Sequence, residues 1–217
     1  MYNLPESTYY SKRIPKQKFY EKLKVKTKLE KQITTEIESI YWKNKLSPDT
    51  LNISAGKWVH EIEVFEITLR QQGISTSIIE TIDREIPYHI IFVLRYQDLA
   101  QLWISYKESS KNREGKFKVD SYYSTPWGAY DELSLSVEGL NLDKVYENFI
   151  LQIAGDKLKI FEESDLKTAV SKAKDAEKIE KQIQQLESKI AREKQFNRQV
   201  EMMGELRKLK SRLEGSL

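Results

Sequence analysis

The apolar positions change period along the chain, and those changes mark out its elements. From Lys16 to Trp42, Phe19, Leu23, Leu29, Ile33, Ile37 and Ile40 recur three, four or six residues apart with charges between them. That spacing predicts one or two amphipathic helices. Ser47-Pro48-Asp49 ends the pattern, because proline disfavours helical geometry at the residue before it. The period then drops to two. Trp58 to Leu69 (WVHEIEVFEITL) alternates apolar with polar for much of its length and is rich in β-branched and aromatic residues, which predicts a strand. A short strand over Thr50 to Ile53 is expected to pair with it through Ser54-Ala55-Gly56-Lys57.

After Gly73, residues 75–85 (STSIIETIDRE) read as a short helix. Ser75 or Ser77 stands at its start, and Glu80 lies three residues after Ser77 in the arrangement of a capping box. Pro87 stops it. Residues 88–95 (YHIIFVLR) have the composition of a buried strand. Leu99 to Lys107 and Phe117 to Ser124 read as two more, with Gln97-Asp98 a turn, Glu108 to Gly115 a loop, and Thr125-Pro126-Trp127-Gly128 a second turn. Leu142, Val145, Phe149 and Ile153 restore helical spacing over Leu140 to Ala154. Short links between neighbouring strands favour antiparallel pairing, so the fold class is α+β, a mainly antiparallel sheet with flanking helices.

From Ser164 the chain contains neither Gly nor Pro until Gly204, and Lys, Glu, Gln, Ala and Arg dominate. These are good helix formers. Ile179, Ile183, Leu186 and Ile190 lie four, three and four apart, a seam of coiled-coil type, and Met202, Leu206, Leu209 and Leu213 repeat the spacing in another phase. Two structures fit. One is a single long helix with a stutter that pairs with another chain. The other is a helical hairpin turning near Lys194-Gln195-Phe196-Asn197, to which the phase change and Asn197, tolerant of left-handed geometry, point. The organisation expected is an irregular arm over 1–15, an α+β domain over 16–160 and a charged helical tail over 164–214.

At 217 residues, 39% of them hydrophobic, the chain can bury a core of ordinary size. It has no Cys, which excludes disulfides and thiolate metal sites and fits a reducing compartment. No run approaches the roughly 20 apolar residues of a membrane span, and the first residues carry no secretory signal. A soluble, cytoplasmic protein is expected. The net charge of +3 hides a segregation: residues 1–45 hold eleven Lys/Arg against five Asp/Glu, residues 46–165 twelve against twenty, and residues 166–217 thirteen against eight. Basic ends flank an acidic middle. Such a layout makes a polyanion-binding surface, unless the basic ends lie against the acidic body.

The candidate residues follow from that layout. Lys12, Arg13, Lys16, Lys18, Lys22, Lys24, Lys26 and Lys28, followed by Lys31, are interleaved with Tyr9, Tyr10, Phe19 and Tyr20. Lysines neutralise phosphates and aromatic rings stack on unpaired bases. The excess of Lys over Arg argues against base-specific readout. The alternative is a solvated helix face with its rings in the core. Glu63, Glu66 and Asp83 are the carboxylates that a metal-dependent nuclease could use, but alternation puts Glu61 and Glu63 on one face of their strand and Glu66 on the other. A structural ion pair fits them as well. His60 and His89 have no partner at ligand spacing. There is no Gly-x-Ser-x-Gly elbow and no phosphate-binding glycine loop, so no cofactor and no metal is expected. Trp127, in its turn, and the seam residues Ile179, Ile183, Leu186, Ile190, Leu206, Leu209 and Leu213 are candidates for partner binding. The other tryptophans, Trp42, Trp58 and Trp103, read as core.

Five segments in order, IPKQKFYEKL (14–23), IYWKNKLSPDTLNI (40–53), HEIEVFEITL (60–69), IDREIPYHIIFVL (82–94) and AREKQFNRQVEMMGELRKLK (191–210), resemble the bacterial and archaeal family DUF4391, a domain of unknown function. Members of that family tend to be encoded beside helicases and DNA methyltransferases of restriction-like or phage-defence clusters. The resemblance implies an accessory role near DNA processing, with a helicase or methyltransferase as partner, and it carries over no catalytic residue. The reading is a non-catalytic accessory or adaptor protein that contacts DNA or RNA through its basic N-terminal helix and partner proteins through its body and tail. A divergent metal-dependent nuclease and an assembly protein forming homo-oligomers through its tail are the alternatives.

Overall fold

The structure is a computed structural model that describes residues 2–17, 20, 27–109, 117–159 and 165–214. It divides into two compact units, Met1–Ala154 and Gly155–Leu217. The first unit is built on one sheet of strands β1 (Tyr9–Arg13), β2 (Ile37–Leu46), β3 (Ile62–Leu69), β4 (His89–Tyr96), β5 (Leu99–Ser109) and β6 (Phe117–Ser124), neighbours in that order, with the short β7 (Gly128–Ala129) also on β5. Every pairing is antiparallel except β3 with β4. That pair is parallel because a helix, α3 (Thr76–Glu85), makes the crossover between them. Helix α1 (Thr27–Glu36) precedes β2, α2 (Pro48–Leu51) follows it, and α4 (Leu142–Ala154) closes the unit.

Alternation along the strands sorts the core into two layers. Phe65, Ile67 and Leu69 of β3 and Ile90, Phe92 and Leu94 of β4 share one face with Ile33 of α1 and Ile78, Ile79 and Ile82 of α3, all buried. Fully burying a side chain of this size contributes about 1.5–3 kcal/mol. The opposite face carries Ile62, Val64, Ile91, Val93, Leu102 and Ile104, and α4 buries Val145, Tyr146, Phe149 and Ile153 beside β5 and β6. The loop that leads into β3 is tied to α4 by one carboxylate. Asp143, in the first turn of α4, accepts the backbone N–H groups of Lys57 (2.7 Å), Trp58 (3.1 Å) and Val59 (2.7 Å). Gly56 makes room for it, since a Cβ there would stand 2.1 Å from Asp143 Oδ1.

Three expectations are corrected. The helical spacing read through Ile37 and Ile40 stops at Glu36, and residues 37–46 are strand β2. Ile-rich spacing of three and four serves either element, and here pairing along β3 decides in favour of the strand. Residues 50–53 are no strand: Ser47 and Thr50 cap α2 reciprocally, Thr50 N–H to Ser47 Oγ (3.4 Å) and Ser47 N–H to Thr50 Oγ1 (2.9 Å), and Asn52 closes the turn at φ 53°. The first residues are no irregular arm. Residues 9–13 form the edge strand β1, Tyr2 is buried, and its carbonyl accepts the N–H of Leu135 (2.9 Å).

The second unit contains α5 (Asp156–Lys159), α6 (Leu166–Ile190) and α7 (Phe196–Glu214). Asp165 caps α6 by accepting the Thr168 N–H at 2.9 Å. Helices α6 and α7 pack as a hairpin, bridged by Lys210 and Glu187 at 2.9 Å. The turn falls at residues 191–195, just before the expected place, and Asn197 lies inside α7. A left-handed residue is not what closes it. The Glu193 carboxylate accepts the N–H groups of Lys194 (2.8 Å) and Gln195 (2.9 Å), and Gln199 Nε2 donates to the Glu193 carbonyl at 2.7 Å. No described helix is long and apolar enough to cross a membrane.

Candidate functional site

Three of the cationic candidates, Lys12, Arg13 and Lys16, lie at or just after the edge strand β1. Ser11 takes φ 46°, and the register with β2 slips between Tyr9 and Lys12. This bulge turns Tyr9 outward, 60% exposed. Tyr10 folds inward, its ring 4.4 Å from that of Trp42, with Lys12 Nζ 4.2 Å above the Tyr10 ring. Arg13 and Lys28 are exposed, the latter on α1. Lys16 is half-buried, and its Nζ donates to the Ile37 carbonyl at the start of β2. Arg70, just beyond β3, donates its Nε to the same oxygen at 3.3 Å. Burial, then the Arg70 and Arg13 cations beside it, hold the Lys16 ammonium below its ordinary pKa, while Glu38 pulls the other way. Among the described residues none of Lys12, Arg13, Lys28 and Arg70 forms an ion pair with a carboxylate. Lys18, Lys22, Lys24 and Lys26 lie outside the described residues. Arg70 was not legible as part of this group, because only the sheet order brings the end of β3 beside the segment after β1.

The three candidate carboxylates are all buried and do not meet at one place. Glu66 points to the α4 face, where it accepts the hydroxyls of Tyr2 and of Tyr130 (2.7 Å) and faces Lys43 Nζ at 3.5 Å. Burial and the Glu66 charge raise both tyrosine pKa values, and Arg95 stacks 4.1 Å over the Tyr130 ring. Glu63 points to the α1/α3 face with neither carboxyl oxygen hydrogen-bonded. Burial, reinforced by the Glu61 carboxyl, pushes its pKa up to about 9, so it is protonated at neutral pH. Lys45, across from it, is taken by Glu61 at 2.7 Å. Asp83 of α3 pairs with Lys107 Nζ of β5 at 2.8 Å, and Tyr122 donates to its other oxygen at 3.1 Å. Lys107 also donates to the Tyr88 carbonyl at 2.8 Å. His89 is wedged between the rings of Phe117 (4.8 Å) and Tyr146 (4.5 Å), and burial together with Lys107 lowers its pKa to about 3. Among the described residues no three His, Asp or Glu side chains are placed to hold a metal ion.

The partner-binding candidates divide. Trp127 packs half-buried on the α1/α3 face of the sheet. Ile179 and Ile183 are buried, while Leu186, Ile190, Leu206, Leu209 and Leu213 are half-buried. The apolar surface that the hairpin leaves open is another stripe of α7, Phe196 (75% exposed), Val200 and Met203. These residues lie four and three apart outside the seam, and the seam drew attention away from them. Trp58, read as core, is instead half out of the surface with Lys57 Nζ 4.8 Å over its ring.

These features define an α+β protein with a mostly antiparallel sheet, one parallel crossover and a C-terminal helical hairpin. The chain belongs to the family described as domain of unknown function DUF4391, which it matches over residues 2–213. No curated protein and no solved structure matches it.

Proposed function

We propose that this protein is a non-catalytic accessory subunit that contacts the backbone of DNA or RNA through the β1 edge, within a DNA-processing or phage-defence assembly. One observation carries the proposal: the basic residues of that edge are not neutralised by the acidic middle of the chain. Lys12, Arg13 and Arg70, with Lys28 on α1, face solvent without a carboxylate among the described residues, and the exposed ring of Tyr9 lies on the same strand as Lys12 and Arg13. Such a surface attracts phosphates and offers a platform for an unpaired base. The family resemblance supplies the context, helicases and methyltransferases, for a body and helical hairpin that dock protein partners. The three candidate carboxylates are directed at separate neighbours, so no observation favours nuclease chemistry.

Fluorescence anisotropy of the full chain with labelled single-stranded DNA, duplex DNA and RNA tests the reading. Binding is expected to weaken steeply with salt, log Kd changing linearly with log salt, about 0.7 per phosphate neutralised on a single strand. Lys12→Gln with Arg13→Gln should weaken all sequences alike. Absence of binding even at low salt would remove the proposal.

A further inference from the structure

Three cations from two separate parts of the chain stand together: Arg13 at the end of β1, Lys16 three residues after it, and Arg70 just beyond β3. Lys16 Nζ and Arg70 Nε both donate to the Ile37 carbonyl oxygen, so their nitrogens are at most two hydrogen-bond lengths apart. This oxygen follows the last turn of α1, and a cation that satisfies a carbonyl at a helix C-terminus has a structural reason to be there. One cation meets that need. Two are present with Arg13 beside them, and after burial the Arg70 and Arg13 charges are what lower the pKa of Lys16. Among the described residues the only acidic side chain acting on Lys16 is Glu38, and it makes no ion pair there. Among the described residues Arg70 keeps its two terminal amino groups for a further acceptor, and Lys16 keeps two of its three N–H bonds. A tetrahedral oxyanion fits that geometry, since its oxygens can accept from a guanidinium fork and an ammonium at once.

We infer that Arg13, Lys16 and Arg70 form a phosphate-binding notch, and that its natural occupant is one phosphodiester of a bound nucleic-acid strand. The source of the phosphate rests on the nucleic-acid reading above; the notch does not. Glu38 is then the residue that weakens it, and Arg70 the one that orients the phosphate.

The test uses the full chain and two probes. The first is a labelled single-stranded oligonucleotide across a salt series. Arg70→Gln, which keeps a donor for the Ile37 carbonyl, should weaken binding about tenfold and reduce the salt slope by about 0.7, the loss of one phosphate contact. Arg70→Lys should keep the slope and lose only part of the affinity, and it decides the matter if Arg70→Gln fails to fold by circular dichroism. Glu38→Gln should strengthen binding, and Lys118→Gln on β6 should leave it unchanged. The second probe is inorganic phosphate against chloride at matched ionic strength, read as a shift in Tm. Phosphate should raise the Tm of the wild type and not of Arg70→Gln. If the oligonucleotide binds with the same slope in wild type and Arg70→Gln, the notch is overturned and the nucleic-acid reading stands. If no oligonucleotide binds but phosphate stabilises the wild type through Arg70, the notch stands and the nucleic-acid source is overturned. If neither probe binds, both fall.

Discussion

Glu63 and Glu66 lie three residues apart on β3 and are almost equally hidden, 1% and 4% exposed. Their surroundings differ in kind. Two tyrosine hydroxyls and a lysine ammonium meet Glu66, whereas Glu63 has no hydrogen bond and an acidic neighbour in Glu61. The alternation of a strand sends them to opposite faces, and the two faces were furnished differently. A bulge in β2 contributes: the register jumps from Trp42–Phe65 to Asn44–Val64, which leaves Lys43 as the extra residue able to reach Glu66. Lys45, opposite Glu63, is already engaged by Glu61. Burial alone therefore does not fix the surroundings of a carboxyl; the partners available on its face do. Asp83 is a third arrangement, in which one buried carboxylate and one buried ammonium neutralise each other.

The contrast can be broken most severely at Asp83. Asp83→Ala leaves Lys107 buried without its counter-ion, and loss of one partner from a buried pair costs about 3–5 kcal/mol. Urea denaturation should show the midpoint falling with little change in slope, and Asp83→Ala combined with Lys107→Met should recover much of the loss. Glu66→Gln comes next. Both tyrosine hydroxyls donate to one oxygen of Glu66, and the amide oxygen can take its place, but Lys43 is left without a charge partner, and a cost of about 2–3 kcal/mol is expected in the same measurement.

Glu63→Gln should behave oppositely, and its effect depends on pH. The folded pKa of Glu63 lies above its unfolded value, so the folded state holds a proton that the unfolded state releases between about pH 4.5 and pH 9. The stability that comes from burying a neutral carboxyl is thus complete below pH 4.5 and is lost as pH rises toward 9. Gln stays neutral throughout. The variant should match the wild type near pH 5 and exceed it at pH 9 by on the order of 1–2 kcal/mol, after allowing for solvent screening. His89 works on the acid side. Its folded pKa of about 3 lies below the unfolded value, so folding loses stability as pH falls below about 6.5. Thermal scans from pH 4 to pH 9 should show a stability maximum in the mildly acidic range, and Glu63→Gln should flatten only the alkaline limb.

Much of the sheet was legible before any coordinates. The period-two pattern of 60–69, the apolar run of 90–94 and the turn at Gln97-Asp98 correspond to β3, β4 and the β4–β5 hairpin, because half-buried and fully buried strands write their surroundings into the sequence. Ser75 and Pro87 bracket α3, and Leu142, Val145, Phe149 and Ile153 lie along α4 as their spacing implied. The switch from α1 to β2 was not legible, since Ile33, Ile37 and Ile40 keep a helical interval across a boundary that only pairing with β3 creates. The separation of Glu63 from Glu66 was readable from alternation. Their partners were not: Tyr2 and Tyr130 stand 64 residues before and after Glu66, and Arg70 joins Lys16 across 54 positions of sequence. Contacts of that range depend on strand order, which local period does not encode.

The finest cut through the comparison is a single hydroxyl. Tyr130→Phe removes one of the two donors to Glu66 and keeps the aromatic ring on which Arg95 stacks 4.1 Å away. Tyr2 and Lys43 remain in place, so the lost bond costs about 1 kcal/mol. If Tyr130 acts through its bond to the Glu66 carboxyl, the same hydroxyl should be worth less once a neutral amide replaces that acceptor. A double-mutant cycle of Tyr130→Phe with Glu66→Gln measures that coupling, and about 0.5 kcal/mol or more is expected. Additive losses in the cycle would mean that the Tyr130 hydroxyl does not act through Glu66, and that Tyr2 and Lys43 are the partners that matter on the α4 face.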